Sequence, residues 1–288
     1  MRHGEIHTIT VKGGGRMKTV LLLSAAVVCA GCGNNLAGPA MTPLFAPPGG
    51  LAALSVDSAH VRLDWTAPLL VTDTTFAGYV LAWGTVADTL QKTTLMFTGG
   101  PLPAGAATFS IRSLLKNGQT SDAASITWAP AWRFDAVPIV VTEYSSSQQT
   151  GFPGVDAGSR TSNPGAIGLL DVGADSALDF YLSGPAGSPL QLLSAVTFNP
   201  GWHQTFFSTQ TTSSPDLNAP LALFPAEDTF TLQNVTLADQ VIYYAKIQGN
   251  TGEIHYVRVH VHLIPGSFPV RQVDIRISLQ KVPGLPYA

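Results

Sequence analysis

The sequence contains little charge and almost no cysteine. Charged residues make up 11% of its 288 positions, and it has 2 cysteines. Of its 15 Lys+Arg and 18 Asp+Glu residues, four basic ones and one acidic one precede residue 32, which leaves 11 against 17 in the rest of the chain. Nucleic-acid binding relies on basic side chains that contact phosphates. The sequence therefore predicts no nucleic-acid partner.

The two cysteines, Cys29 and Cys32, are spaced as C-x-x-C, but their surroundings do not suit a redox or zinc pair. A structural zinc site takes four Cys or His ligands, and a redox pair needs a folded frame that lowers one thiol pKa. Here the cysteines end an apolar run that begins at Val20. That run is shorter than the roughly 20 residues that cross a bilayer, and its length is typical of a secretory signal. We therefore expect a targeting segment.

The residues before Cys32 resemble the lipobox signal of bacterial lipoproteins. Lys18 precedes the apolar run and a small Ala-Gly pair stands directly before Cys32, so the resemblance covers Met17 to Cys32. The family usually has leucine three residues before its cysteine, where this chain has Cys29. In that family the cysteine is lipidated and becomes the first residue of the mature chain. The resemblance implies that Cys32 carries a lipid; an ordinary cleaved signal peptide is the alternative.

The lipobox resemblance also implies how the first 49 residues divide into segments. It implies a signal peptide at 17–31, and the Gly-, Pro- and Asn-rich residues 32–49 then form a flexible membrane tether. Residues 1–16 become a mis-assigned extension with translation starting at Met17, because a Lys-Gly-Gly-Gly run just upstream is what a ribosome-binding site would encode. Gly33, rather than an aspartate, follows the cysteine, which implies anchoring in the outer membrane of the bacterial cell envelope.

The rest of the chain has the pattern of β-structure. Gly, Pro, Thr and β-branched residues are frequent and long segments of helical periodicity are missing, which predicts an all-β protein. Residues 50–130 alternate in HVRLDWTAP and FAGYVLAWG and then predict two strands around Asn117-Gly118. Trp65 before a proline, the Tyr-x-Leu-x-Trp strand and the N-G-x-x-S turn resemble a fibronectin type III module. The resemblance implies a β-sandwich that acts as a spacer or protein-contact module without catalytic residues.

Residues 131–288 predict a second antiparallel β-sandwich, of jelly-roll-like type. Many short strands follow one another at regular spacing, which is the pattern of a sandwich or barrel. The best patterned pair, Val241–Gln248 and Glu253–Ile264, flanks Asn250-Thr251-Gly252 and predicts a hairpin. Acidic residues are scattered along this half, and Asp179 is interpreted as a turn or strand-edge residue.

The stretch NPGWHQTFF holds the first candidate ligand-binding site. Trp202 follows Pro-Gly and so lies in a loop or begins a strand, and His203, Phe206 and Phe207 come soon after it. These four side chains form a candidate apolar platform for a sugar ring or a partner protein. The alternative is that Trp202 closes one end of the sandwich and that Phe206 or Phe207 fills its core.

The stretch IHYVRVHVHLI holds a candidate metal or haem site. Because side chains alternate along a strand, His260 and His262 project from one face and Val257, Val259 and Val261 from the other. Two such histidines are able to ligate a metal or a haem iron; the alternative is a solvated polar face. The hairpin that contains them resembles the end of haem-capturing all-β surface lipoproteins of the HmuY kind, but no ligand residue is carried over from that resemblance.

These observations favour a non-catalytic, membrane-anchored lipoprotein that acts as an extracytoplasmic binding or adhesion module for a glycan or a protein. The sequence has no nucleophile elbow, zinc-protease motif or dinucleotide fingerprint, and this function requires no cofactor. A haem- or metal-binding surface lipoprotein is the alternative. A third possibility is a glycan-processing enzyme, which requires two carboxylates about 5–10 Å apart in a cleft.

Overall fold

The computed structural model describes residues 45–102, 105–144, 151–153, 178–249 and 252–288. These residues all belong to one compact unit, Pro43–Ala288. The described part of the chain forms strands and short 3-10 turns and contains no α-helix, so the all-β prediction is confirmed. Cys32, the predicted signal and residues 32–44 of the predicted tether lie outside the described residues, and among those that are described there is no apolar helix of membrane-spanning length. The last residues of the predicted tether, 45–49, are described: the Ser113 hydroxyl donates to the Ala46 carbonyl at 2.8 Å and Gly49 begins the first strand, so this end of the segment is held against the N-terminal sandwich.

The N-terminal half forms a sandwich of two antiparallel sheets. Its strands are β1 (Gly49–Ser55), β2 (Val61–Thr66), β3 (Phe76–Trp83), β4 (Val86–Gln91), β5 (Met96–Gly99), β6 (Ala107–Leu115) and β7 (Ala124–Trp128). One sheet has the order β1-β2-β5 and the other the order β4-β3-β6-β7. Alternate residues of β2 and β3 face inward, and Trp65 and Tyr79 meet there edge to face with ring centroids 5.6 Å apart.

The C-terminal half forms a second, larger sandwich. Its strands are β8 (Trp132–Thr142), β9 (Gly151–Phe152), β10 (Phe180–Ser183), β11 (Gln191–Ser194), β12 (Gln204–Ser213), β13 (Phe230–Leu232), β14 (Asn234–Thr236), β15 (Val241–Gln248), β16 (Ile254–Ile264) and β17 (Gln272–Leu279). A six-stranded sheet of order β13-β12-β15-β16-β17-β8 packs on a four-stranded sheet of order β14-β11-β10-β9. The predicted hairpin is confirmed, because β15 and β16 pair antiparallel from Val241↔Val261 to Gln248↔Ile254.

The central part of the six-stranded sheet is buried on both faces. Its inner face carries Val257, Val259 and Val261, which pack against the four-stranded sheet as their alternation predicts. Its outer face carries His260, which is only 2% exposed, together with buried tyrosine and arginine side chains. The expectation of a solvated polar face is therefore wrong for His260, whereas His262 near the end of the same strand is exposed. The reason is that residues 214–229, which join β12 to β13 and which we name the cover segment, lie over this face.

The cover segment and the N-terminal sandwich share one hydrophobic cluster with the outer face. Ala53 in β1 and Leu221 in the cover segment exchange two backbone hydrogen bonds of 2.9 Å each. Near the C-terminus, the rings of Trp128 and Tyr287 lie 5.6 Å apart. The part of the outer face that carries Tyr244, Tyr256, Arg258 and His260 is thus interior to the molecule, and these polar side chains lie in a desolvated environment.

Candidate functional site

Four aromatic side chains gather on the outer face of the four-stranded sheet, and we name them the aromatic surface: Tyr144, Tyr181, Phe198 and Trp202. Phe198 and Trp202 are stacked, with centroids 5.2 Å apart and planes at 27°. The Tyr144 and Phe198 rings meet edge to face with centroids 5.2 Å apart. The Tyr181 ring centroid lies 6.1 Å from that of Tyr144 and 6.2 Å from that of Phe198. These spacings are those of favourable aromatic pairs.

A compact turn holds Phe198 and Trp202 in place. The 3-10 turn Ala195–Thr197 ends at Phe198, whose N–H donates to the Ala195 carbonyl at 2.9 Å. The Asn199 side chain accepts from the Gly201 N–H at 3.0 Å, and its carbonyl accepts from the Trp202 N–H at 3.0 Å. An Asn-Pro-Gly sequence favours such a turn because asparagine bonds the backbone locally and proline fixes φ. The turn therefore presents both rings with little freedom.

The aromatic surface is open to solvent on one side. Tyr144 and Phe198 are each 38% exposed, Trp202 is half-buried, and Tyr181 is buried beneath them. The Tyr181 hydroxyl lies 3.1 Å from Thr197 Oγ1, which in turn donates to the Ser194 carbonyl at 2.6 Å. None of these side chains carries a formal charge. The arrangement offers ring faces and hydroxyl groups, which suits a ligand that has both an apolar face and hydroxyls.

The structure sends the four side chains of the predicted platform to different places. Trp202 belongs to the aromatic surface, and Phe207 is fully buried between the sheets of the C-terminal sandwich. Phe206 points to the opposite face of β12, where Lys246 Nζ lies 5.4 Å from its ring. Consecutive strand residues face opposite ways, so Phe206 and Phe207 do not share a surface. Of the four predicted platform residues, only Trp202 therefore belongs to the aromatic surface.

His203, the fourth member, forms a buried pair with Asp179. Both side chains are fully buried, and His203 Nδ1 lies 2.7 Å from Asp179 Oδ1. Asp179 directly precedes β10, so it is a strand-edge residue as interpreted, but its carboxylate lies inside the protein. The backbone of the same two residues supports the aromatic turn: the Ala195 N–H donates to the Asp179 carbonyl and the Val196 N–H to the His203 carbonyl. The pair thus anchors the aromatic surface from below.

His260 and His262 lie on the same face of β16 but in different surroundings. His260 Nε2 donates to the Ser214 carbonyl of the cover segment at 3.0 Å. The His262 side chain is 47% exposed, and its Nδ1 lies 2.9 Å from Asp239 Oδ1 and 2.8 Å from Gln240 Nε2. Both line a pocket of about 230 Å³. Within the residues that the structure describes, no group of three His, Cys, Asp or Glu side chains is arranged to hold a metal.

A second pocket, of about 340 Å³, opens at one end of the C-terminal sandwich. Its lining is mostly apolar: Pro189, Leu190, Leu237, Leu263, Ile264, Pro265, Gly266 and Arg271. The Arg271 guanidinium is already engaged, because Nε donates to Glu143 Oε2 at 2.8 Å and its other nitrogens donate to the Ser188 and Gly184 carbonyls. The one charged group that lines this pocket is therefore already bonded within the protein and is not available to a ligand. The aromatic surface is the better candidate site.

Two solved structures resemble parts of this fold. The fn3 domain of the human collagen alpha-1(XX) chain matches with a TM-score of 0.28 and 20% identity, over 33% of this chain and 93% of that chain. A DUF4466 family protein from Parabacteroides merdae ATCC 43184 matches with a TM-score of 0.31 and 12% identity, over 82% of this chain and 99% of that one. These TM-scores are low, and neither likeness bears on function. No family model and no curated protein matches the chain.

Sequence reasoning missed three of the four members of the aromatic surface. Phe198 and Tyr181 lie close to Trp202 in sequence but belong to a turn and to β10, and Tyr144 follows β8 more than fifty residues earlier. The Asn-Pro-Gly turn between Phe198 and Trp202 was a usable signal, because a tight turn brings its flanking side chains together. Tyr144 gives no such signal, since only the pairing of the sheets brings it to this site.

Proposed function

We propose that this chain is a non-catalytic, lipid-anchored module of the bacterial cell envelope that binds a glycan through the aromatic surface. The lipobox-like residues before Cys32 support the anchor, and the tether after them supports display of the sandwiches outside the membrane. The aromatic surface is the single observation that carries the binding function. A protein ligand is the competing outcome at the same surface.

The aromatic surface supports a binding function because its clustered rings stay partly exposed to solvent instead of packing in a core. Phe198 at 38% exposure lies on a rigid turn and presents a stacked pair with Trp202 rather than an isolated ring. Exposed clustered aromatic groups are typical of interaction sites, where they contribute large contact area at low entropic cost. This partly exposed ring pair is therefore suited to stack against an apolar face of a ligand.

A glycan fits this surface better than a charged ligand does. A sugar ring has an apolar face of C–H groups and a rim of hydroxyls, which matches exposed ring faces beside the hydroxyl of Tyr144. The four side chains offer no charge to balance a phosphate or an ammonium group. We therefore expect a neutral saccharide to stack on Phe198 or Trp202 and to hydrogen-bond at the edge of the surface.

The haem or metal alternative receives less support from the geometry. His260 is buried and already bonded to the Ser214 carbonyl, so iron ligation would require the cover segment to move. The pocket that His260 and His262 line, about 230 Å³, is smaller than the roughly 300–1,000 Å³ of most small-molecule sites. The aromatic surface needs no such rearrangement.

A glycan array followed by calorimetric titration of the best saccharide tests the proposal. We expect Trp202→Ala and Phe198→Ala each to weaken binding at least about tenfold, because a ring at the centre of a binding surface commonly contributes more than 1 kcal/mol. Phe268→Ala is the matched control, since Phe268 is 44% exposed but packs beside Arg271, outside the aromatic surface.

Two results would contradict the proposal. Saccharide binding that survives both substitutions would place the ligand elsewhere on the chain. An array without saccharide binding, combined with a partner protein that the wild type captures and Trp202→Ala does not, would assign the surface to a protein ligand.

A further inference from the structure

Three polar side chains stand in one row across the outer face of the six-stranded sheet. Arg258 in β16 lies directly opposite Ser278 in β17, and Ser278 lies directly opposite Arg133 in β8. Directly opposed residues of an antiparallel pair have Cβ atoms about 5 Å apart. The serine hydroxyl is therefore flanked on both sides by a guanidinium-bearing chain.

Four polar atoms of this row lack a hydrogen-bond partner among the described residues. They are Nε and Nη1 of Arg258, Oγ of Ser278 and Nε of Arg133. Arg258 and Ser278 are fully buried, and the Arg133 side chain is 6% exposed. Buried donors in folded proteins nearly always have a partner, and a cluster of exceptions marks the place of an ion or a water.

The two arginines differ in how their charge is balanced. Arg133 pairs with Asp135 and donates to the Ser55 carbonyl at 2.8 Å and to Asn218 Oδ1 at 3.0 Å. Arg258 donates through Nη2 to the Ala219 carbonyl at 2.7 Å, and within the described part of the chain no carboxylate pairs with it. A buried charge without a counter-charge is costly.

The pKa of Arg258 also indicates that its buried charge is poorly compensated. Burial lowers the pKa of Arg258 to about 10, and the charge of nearby Arg133 adds to this effect. Tyr244 opposes this lowering, and so, more weakly and without forming an ion pair, does Asp216 in the cover segment. The site therefore has an excess of positive charge that the neighbouring carboxylates leave uncompensated.

We infer that Arg258, Ser278 and Arg133 bind a small inorganic anion, chloride in solution, buried between the large sheet and the cover segment. An anion accepts hydrogen bonds from both guanidinium groups and the hydroxyl and also supplies the missing counter-charge. A water molecule would satisfy the donors but would leave Arg258 uncompensated. A monatomic anion suits the enclosure, because the row lies under the cover segment and β1, whose Ala219 and Ser55 carbonyls already contact the two arginines.

The first test is the thermal stability of the purified protein as chloride replaces gluconate at constant ionic strength. An anion that binds only the folded state raises the Tm with a saturable dependence on its concentration. We expect such a saturable rise for chloride and bromide. A Tm that does not depend on which anion is present would overturn the inference, because a buried water has no such dependence.

Substitutions then assign the effect to this row. Ser278→Ala removes one donor and keeps both charges, so we expect the half-saturating chloride concentration to rise about tenfold, the scale of one hydrogen bond to a charged group. Arg258→Met is expected to abolish the chloride dependence and to melt above the wild type in gluconate, because it removes the uncompensated charge. Arg276→Met is the control: Arg276 lies in β17 two residues from Ser278 and on the same face, outside the row, and this variant should keep the wild-type response.

Bromide diffraction gives a direct readout. Crystals grown with bromide should show an anomalous peak among Arg258, Ser278 and Arg133, and the peak should be absent in Arg258→Met. A chloride response in the Arg258→Met protein, or an anomalous map without a peak at this row, would overturn the assignment.

Discussion

At the scale of single residues, His260 shows how the cover segment controls the chemistry of the large sheet. Its Nε2–H donates to the Ser214 carbonyl, and the side chain is 2% exposed. Burial lowers the pKa of His260 below its ordinary value of 6.5, and Arg276 and His262 lower it further, while the bond to Ser214 and the charge of Asp216 act in the opposite direction. The folded protein therefore favours the neutral imidazole.

This shift predicts a loss of stability in mild acid. Well above pH 6.5 the imidazole is neutral in both the folded and the unfolded chain and contributes no pH dependence. As the pH falls below that value the unfolded chain takes up a proton that folded His260 resists, so the free energy of unfolding decreases until the lower folded pKa is reached. Urea denaturation measured between neutral and mildly acidic pH checks this.

The matching variant is His260→Gln, whose side-chain amide is able to donate to Ser214 but does not titrate. We expect its free energy of unfolding to depend less steeply on pH in that window than the wild type's. Equal slopes for the two proteins would show that the acid sensitivity comes from other groups.

At the scale of elements, strand periodicity predicted which residues share a face but not what covers each face. Alternation along β16 placed Val257 and Val259 on one side and His260 on the other, and the valine side is core as expected. The histidine side was expected to be solvated, because nothing within the strand signals that a distant segment packs over it. The same periodicity places Phe206 and Phe207 on opposite faces of β12. The prediction of an aromatic platform put both on one surface and so did not use it.

Contacts between distant elements account for the remaining differences. Asp179 and His203 are separated by 24 residues and meet in the interior, and Tyr144 reaches Phe198 through the packing of separate strands. Such pairs depend on sheet order, which local patterns do not specify. The candidate site could therefore be predicted only as far as Trp202 and the Asn-Pro-Gly turn beside it.

The cover segment contains a matched pair of leucines that tests its contribution to stability. Leu217 is 0% exposed in the cluster shared with the N-terminal sandwich, whereas Leu223 in the same segment is 81% exposed. We expect Leu217→Ala to lower the free energy of unfolding by about 2–5 kcal/mol, since it leaves a cavity. Leu223→Ala should change it by less than about 0.5 kcal/mol. Urea denaturation followed by tryptophan fluorescence and circular dichroism measures both.

Similar losses in the two variants would mean that the cover segment does not pack on the sheet in solution. A large loss in Leu217→Ala alone, with coincident transitions by both probes, would show that the shared cluster couples the two sandwiches in a single unfolding step.

At the scale of the whole molecule, the shared cluster makes residues 43–288 one body that a single N-terminal attachment would hold at the membrane. The contact of Trp128 with Tyr287 brings the chain's C-terminal end against the N-terminal sandwich. A flexible coil of 13 residues, the part of the predicted tether that precedes residue 45, spans on the order of 20 Å. The aromatic surface would then be displayed within a few nanometres of the lipid.

The anchor itself predicts different behaviour for the two cysteines. In the producing bacterium, Cys32→Ser should yield a protein that stays in the aqueous phase on detergent partitioning, because the acyl chains that supply membrane affinity, about 0.8 kcal/mol per buried CH₂, are no longer attached. Cys29→Ser is the matched control: it removes the neighbouring thiol but keeps the acceptor, and should partition into detergent with the mass of a lipidated chain, as the wild type does. Both positions precede the described residues. A Cys32→Ser protein that still enters the detergent phase, or a wild-type chain whose intact mass includes no lipid, would remove the anchor from the proposed function and leave a secreted binding module.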